Sequence, residues 1–369
     1  MRAWLHYGFN DMRLEEIPDP KIQPKHAKVK VKVIQPSITE VLQSRGISTF
    51  PRTFDVVKKK LAEAKAHKTG VQLFGHEFCG EVVEVGAGVT RVKVGDRVTA
   101  VAGVPCHECY QCRRGREQFC ANRKLFSIDI PGAFSEYALC PEDILFKVPD
   151  NVSDSEGATM QPLGECVAAV ASVGLNVGDT VVVLGQGSMG ISTMQGAKTS
   201  GAGRLIVTDV RNDALEMAKN LGADEAVNAK ETDPVRKVLE LTQGAGADIV
   251  VEAAGGSPSV GLAGFRTIQQ AIEMVSPGGK ILQMAHFESP IENFATGDLR
   301  NKSIKWMFPD LTSEKMMRHT IHLVASGRIR QKPLITHTVD GIENLPRVFE
   351  ITLNKATYHS LNPAQLKIS

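Results

Sequence analysis

The sequence lacks any window of about 18 consecutive apolar residues, which excludes a helix long and apolar enough to cross a bilayer. It also lacks an excess of charge of either sign. There are 43 Lys and Arg residues against 41 Asp and Glu, a formal net charge of +2. That balance implies no nucleic-acid or anionic-membrane partner. No continuous apolar stretch follows Arg2 in MRAWLHYGFNDMRLEE, so no signal peptide is expected, and the expected location is cytoplasmic. Nor is there a set of cysteines that pairs off evenly. The chain has seven, and four of them fall within the 15 residues from Cys106 to Cys120. An odd, clustered set fits a metal site in a reducing compartment better than a disulfide framework.

What is present is an ordinary globular composition, 42% hydrophobic and 23% charged, over 369 residues. That length suggests two domains. Residues 28–34, KVKVKVI, alternate strictly and read as a half-buried strand, followed by further short strands, broken by glycine, at 81–85 and 92–101. Proline is frequent before residue 150, from Pro18 and Pro20 to Pro141 and Pro149. Short strands with many turn signals predict a β-rich, barrel-like region. The texture changes near residue 155, where SEGATMQPLGECVAAVASVGL reads as one helical stretch. Apolar strands at 181–184, 205–208, 225–228, 248–251 and 279–284 then alternate with helices near 212–221, 232–242 and 265–275. That alternation predicts a doubly wound parallel sheet. The expected division is a β-rich domain from 1–155 and 301–369, and an α/β domain from 156–300.

Residues 52–70 carry a lysine run, with Phe54, Val57, Leu61 and Ala64 at helical spacing. The plain reading is a surface helix with a solvated basic face; the sharper one is a lid or specificity element ahead of His76. Loops such as 46–72 and 286–310 are expected to shape the substrate pocket.

The segment GQGSMG places Gly185, Gly187, Ser188, Met189 and Gly190 between an apolar strand and a helical stretch, in the spacing G-x-G-x-x-G. The glycines permit a tight turn and close approach of backbone to a pyrophosphate, and the helix N-terminus offers N–H groups to that anion. Asp209 ends the next strand, where a carboxylate accepts from ribose hydroxyls and repels a 2′-phosphate, so NAD is favoured over NADP. Arg211 close by could instead reach a phosphate. Cys106, Cys109, Cys112 and Cys120 follow the spacing C-x2-C-x2-C-x7-C within a lobe of about 104–122. Four thiolates suit a closed tetrahedral Zn²⁺ site, and an iron–sulfur cluster is the other metal reading.

Together these motifs resemble the zinc-containing medium-chain alcohol and polyol dehydrogenase superfamily, in its sorbitol and threonine dehydrogenase-like branch. Gly75-His76-Glu77, Gly80, Gly86 and Val89 match its signature G-H-E-x2-G-x5-G-x2-V, and the cysteine lobe matches its structural zinc loop. The resemblance implies a GroES-like catalytic domain, a Rossmann NAD-binding domain, a chain end that folds back onto the first domain, and a homodimer or homotetramer. It also implies a catalytic zinc held by a cysteine, the histidine of G-H-E and a later acid or cysteine. Here Ser37 stands in the cysteine position, with Thr39 and Glu40 following in SITE, and Gln161 stands where a carboxylate is common. A serine hydroxyl and a glutamine amide are weak zinc donors beside a thiolate. His76 and Glu77 remain as possible catalytic-zinc ligands, with Glu165, Glu40 or Cys166 as further candidates. Without the metal, His76 would act as a general acid–base or hydrogen-bond donor.

The expected activity is NAD-dependent oxidation of a small secondary alcohol, polyol or sugar-like hydroxyl, or the reverse ketone reduction. Ser37, Thr39, His76, Glu77 and Glu165 are the candidate catalytic residues. The alternatives are a reductase of activated carbonyls or double bonds without catalytic zinc, and a non-catalytic NAD(H)-binding sensor.

Overall fold

The computed structural model describes residues 1–48, 50–256, 264–287 and 296–368. Thr49 in the 46–72 segment and residues 288–295 in the 286–310 segment lie outside the described residues. The chain divides into two compact units. One comprises residues 1–164, 312–326 and 335–369, the other residues 165–311 and 327–334.

In the first unit the alternating lysines and valines form the strand His26–Ile34, with Val29, Val31 and Val33 buried and Lys30 exposed. A period of two puts one set of side chains on the core face and the other in water. This strand organises a sheet of seven strands among the described residues. It pairs antiparallel with Phe78–Val85, Tyr137–Pro141 and Gln365–Lys367. The last pairing brings the C-terminal segment into register, Leu366 opposite Ile34. The core beneath includes Phe74, Phe78, Phe126 and Phe134, all almost fully buried. Each such side chain contributes about 1.5–3 kcal/mol by leaving water.

Two sequence expectations are corrected here. In the glycine-broken stretch 92–101 only the part after Gly95 is strand, Arg97–Ala100. The preceding residues turn instead, with Gly95 in the left-handed region and the Lys93 N–H donating to Asp96 Oδ2 at 2.9 Å. The helical stretch after 155 is two helices, Asp154–Ala158 and Met160–Val173. The first is held by a reciprocal cap between Ser153 and Glu156.

The lysine-rich stretch forms the helix Pro51–His67. Phe54, Val57, Leu61 and Ala64 are buried, while Lys58, Lys59 and Lys65 are exposed. Phe54 stacks on Phe9 with ring centroids 5.7 Å apart. This is the surface helix with a solvated basic face. An open groove of about 730 Å³ beside it is lined by Tyr7, Phe9, Arg13, Lys58 and Lys65, and none of the candidate site residues borders it.

The second unit holds a parallel sheet of six strands among the described residues. Their order is Glu225–Asn228, Arg204–Asp209, Thr180–Leu184, Ala247–Glu252, Val275–Gln283 and Lys305–Met307. The order reverses at Thr180–Leu184, the strand that runs into the glycine turn, and ligands of doubly wound sheets bind at such a switch point.

Candidate active site

The helix Ile38–Ser44 begins with Ser37, whose backbone is extended. Ser37 Oγ accepts from the Glu40 N–H at 3.2 Å, and Glu40 Oε2 accepts from the Ser37 N–H at 3.2 Å. This capping box follows from the S-x-x-E spacing and fixes the Glu40 side chain. The other oxygen, Oε1, accepts from the Gly75 N–H at 2.7 Å and the His76 N–H at 3.2 Å. The same Oε1 also lies 2.6 Å from His76 Nδ1. A buried carboxylate accepts only, so the Nδ1 proton lies on His76 and the ring's basic lone pair is on Nε2. Burial alone would raise the Glu40 carboxyl. The His76 ring and the backbone donors outweigh it and hold the group below the usual carboxylate range.

The turn that carries His76 is sterically specified. Gly75 has φ +89°, and a Cβ there would lie 2.6 Å from the Phe134 backbone nitrogen. Only glycine satisfies both conditions. Glu77, on the other side of His76, places Oε1 3.9 Å from His76 Nε2. Its Oε2 accepts from Gln35 Nε2 at 2.6 Å. Burial raises the Glu77 carboxyl from 4.5 to about 7, against the opposing pull of His76. Gln35 in turn accepts from Asn362 Nδ2 and from Gln365 Nε2, so a buried amide chain ties Glu77 to the C-terminal segment.

The structure therefore brings Ser37, Glu40 and His76 into one hydrogen-bonded network, with the Glu77 carboxyl beside it at 3.9 Å from His76 Nε2. Thr39 is half-buried in the first turn of the same helix. Gln161 is buried near the start of Met160–Val173. Glu165 and Cys166, from the same helix, fall in the second unit, and the Cys166 thiol lies 3.5 Å from the Met189 carbonyl. Gln35, Asn362 and Gln365 were not legible as site residues, because amides carry no motif and the last two lie far away in sequence. His6 was missed as well. It is buried edge-on to Phe74 at 5.0 Å, and burial lowers its imidazole to about 4.

The four lobe cysteines converge. The sulfur of Cys109 lies 3.5 Å from that of Cys112 and 3.9 Å from that of Cys120, and Cys120 lies 3.4 Å from Cys106. All four lie within 4.8 Å of one another. Zinc–sulfur bonds of about 2.3 Å in a tetrahedron put the sulfurs about 3.8 Å apart, so the site fits one ion and is too small for a multi-iron cluster. Backbone N–H groups of Cys112 and Ala121 lower the Cys109 thiol to about 6. Desolvation and the neighbouring sulfurs raise Cys112 to about 12. Four thiolates this close need a cation at their centre. Among the described residues, this is the one group of three or more His, Cys, Asp or Glu side chains with that convergence. His76 and Glu77 are not part of such a group. The other two ligand positions that the resemblance implies hold Ser37 and Gln161, both neutral donors, so the chemistry available with His76 does not fit a catalytic zinc.

In the second unit, the strand Thr180–Leu184 turns at Gly185, φ +87°, and the helix Ser188–Thr199 begins with Gly187 as its cap. A Cβ on Gly190 would lie 1.8 Å from the Gly185 carbonyl, whereas one on Gly187 would meet nothing within 4 Å. The first contact is helix against turn; the open side at Gly187 is where a phosphate can approach backbone. Asp209 Oδ2 accepts from the Gln186 N–H at 2.5 Å, and Oδ1 from the Arg211 N–H at 2.9 Å. The carboxylate thus sits against the glycine turn. Arg211 is engaged with Asp213, its Nε 3.1 Å from Oδ1.

Residues 42–150 match the family described as the alcohol dehydrogenase GroES-like domain, and residues 188–326 match the zinc-binding dehydrogenase family. The chain is 32% identical over 340 residues to an L-threonine 3-dehydrogenase of Bacillus licheniformis, covering 91% of each chain. It is 31% identical over 346 residues to a probable D-xylulose reductase A of Aspergillus fumigatus, covering 90% of this chain and 88% of that one. Among solved structures it is similar to 2R,3R-butanediol dehydrogenase from Bacillus subtilis, with a TM-score of 0.81 and 25% identity over 100% of this chain and 99% of that one.

Proposed function

The chain belongs to the zinc-containing medium-chain alcohol and polyol dehydrogenase superfamily, and from that premise we propose that it oxidises a small secondary alcohol, polyol or sugar-like hydroxyl with NAD, or reduces the corresponding ketone. The observation that carries the reading is the His76 ring, held through Nδ1 by the buried Glu40 carboxylate so that Nε2 is the basic nitrogen. In this reading the alcohol O–H proton passes to Nε2 while hydride leaves the carbinol carbon for C4 of the nicotinamide. The products are a ketone, NADH and one proton. A base oriented by a carboxylate on its other nitrogen is a recurring catalytic arrangement. Thr39 is proposed to pass the proton toward solvent, and Glu77 to lie beside the base. Glu165 keeps its candidate catalytic role from the sequence.

The cofactor site is proposed at Gly185, Gly187, Ser188, Met189 and Gly190, with Asp209 on the ribose hydroxyls. Asp209 beside the turn and the engagement of Arg211 by Asp213 both support NAD. The structural zinc would be held by Cys106, Cys109, Cys112 and Cys120, and it supplies order to a lobe with little apolar core. The weak donors at Ser37 and Gln161 favour a substrate with an acidic hydroxyl or an activated carbonyl, since hydrogen bonds stabilise a strongly basic alkoxide less well. A homodimer or homotetramer in the cytoplasm completes the proposal. Among the described residues the strand Lys305–Met307 ends its sheet, and Phe308 beside it is 64% exposed, which supports pairing of two copies along that edge. NADH formation with a panel of secondary alcohols and polyols tests the activity. Tight NADH binding with no turnover in either direction would favour the sensor reading.

A further inference from the structure

We infer that each chain carries a single zinc, in the cysteine lobe, and that the side chain at position 37 is what leaves the His76 site without one. His76 Nδ1 is committed to Glu40 at 2.6 Å, so only Nε2 can face a metal. The carboxylate recorded beside Nε2 is Glu77, with Oε1 at 3.9 Å and its other oxygen bonded to Gln35. A third donor would have to come from a neighbouring backbone position. The sequence marks position 37, where the resemblance has a cysteine, and the Glu40 carboxylate ties that position to His76. The two oxygens of the one Glu40 carboxylate bind the Ser37 backbone on one side and the His76 ring on the other, so residues 37 and 76 flank the same anchor. A thiolate at 37 would complete a set of three charged or imidazole donors, the number that catalytic zinc sites use. Serine cannot do this. Its hydroxyl stays protonated, and its oxygen already accepts from the Glu40 N–H to cap the helix.

The inference goes beyond the proposed activity and does not depend on which alcohol is oxidised, because its readout is a count of atoms. The test is elemental mass spectrometry of the intact chain, purified without added metal or chelator, for the wild type, Ser37→Cys, Ser37→Ala and Cys109→Ser. One zinc per chain is expected in the wild type and in Ser37→Ala, two in Ser37→Cys, and fewer than one in Cys109→Ser. Cobalt substitution gives a second readout that does not rely on turnover. Ser37→Cys should gain a cobalt–thiolate absorption that disappears when His76→Ala is added. Two zincs in the wild type, one of them lost in His76→Ala, would overturn the inference. A folded Ser37→Cys chain that still binds one zinc would overturn the assignment to position 37.

Discussion

One oxygen of Glu40 accepts two hydrogen atoms of His76, the ring Nδ1–H and the backbone N–H, and a third from the Gly75 N–H. The second oxygen closes the cap of its own helix. One buried carboxylate therefore sets the tautomer of the proposed base, the shape of the turn that carries it and the start of the neighbouring helix. Replacing Glu40 by Ala should cost about 3–5 kcal/mol, the range for removing one partner of a buried charged network. Glu40→Gln should keep more stability but lower kcat by at least about a hundredfold, through loss of the oriented tautomer. Thermal unfolding and steady-state kinetics separate the two effects.

Asp209 is expected to select the cofactor. Asp209→Asn should weaken NAD binding by about tenfold, or 1.4 kcal/mol, and narrow the gap between NAD and NADP. Fluorescence titration with both cofactors reads this directly. An unchanged preference would place the selectivity elsewhere.

The cysteine lobe should depend on its metal. Cys109→Ser is expected to lose the bound zinc and to make the segment 104–122 about tenfold more susceptible to limited proteolysis. The same increase should follow treatment of the wild type with a strong chelator. Equal protease resistance with and without metal would mean that the lobe is ordered by its own packing.

Glu77 makes stability depend on pH with a definite sign. Its folded-state carboxyl is raised from 4.5 to about 7, so the folded chain holds the proton more tightly than the unfolded chain. That contribution is fully present below the unfolded value and is lost as pH rises through the folded one. Glu77→Gln removes it, so the melting temperature of the variant relative to wild type should be higher at pH 8 than at pH 5. The full difference is on the order of 3 kcal/mol at most. His6 opposes this trend. Burial depresses it to about 4, so it costs stability as pH falls below its ordinary value.

Much of this was legible beforehand for physical reasons that differ from element to element. The strand Thr180–Leu184 was readable to within one residue, and the glycine spacing at 185–190 marked the turn that follows it, because buried parallel strands and tight turns admit few residue types. The cysteine lobe was legible because metal ligation needs particular atoms at short spacing. Of the glycine-broken stretch 92–101 only the part after Gly95 is strand, because Val92-Lys93-Val94 alternate as in a strand while Gly95 and Asp96 make a turn. The role of Glu40 was half visible: S-x-x-E announces a capping box. That the same carboxylate also grips His76, 36 residues away, is a tertiary fact. The amide chain Gln35–Asn362–Gln365 was invisible, because nothing local distinguishes a buried amide from an exposed one.

The most direct test of the account compares wild type with His76→Gln in NADH formation, using NAD and a panel of small secondary alcohols and polyols across pH 6 to 10. The account predicts NADH from at least one of them, with kcat reduced by about a hundredfold or more in the variant, as expected for loss of a general base. Turnover that survives unchanged in His76→Gln would contradict the proposed base. A wild type that binds NADH yet forms none with any alcohol, and consumes none with any ketone, would contradict the dehydrogenase reading itself.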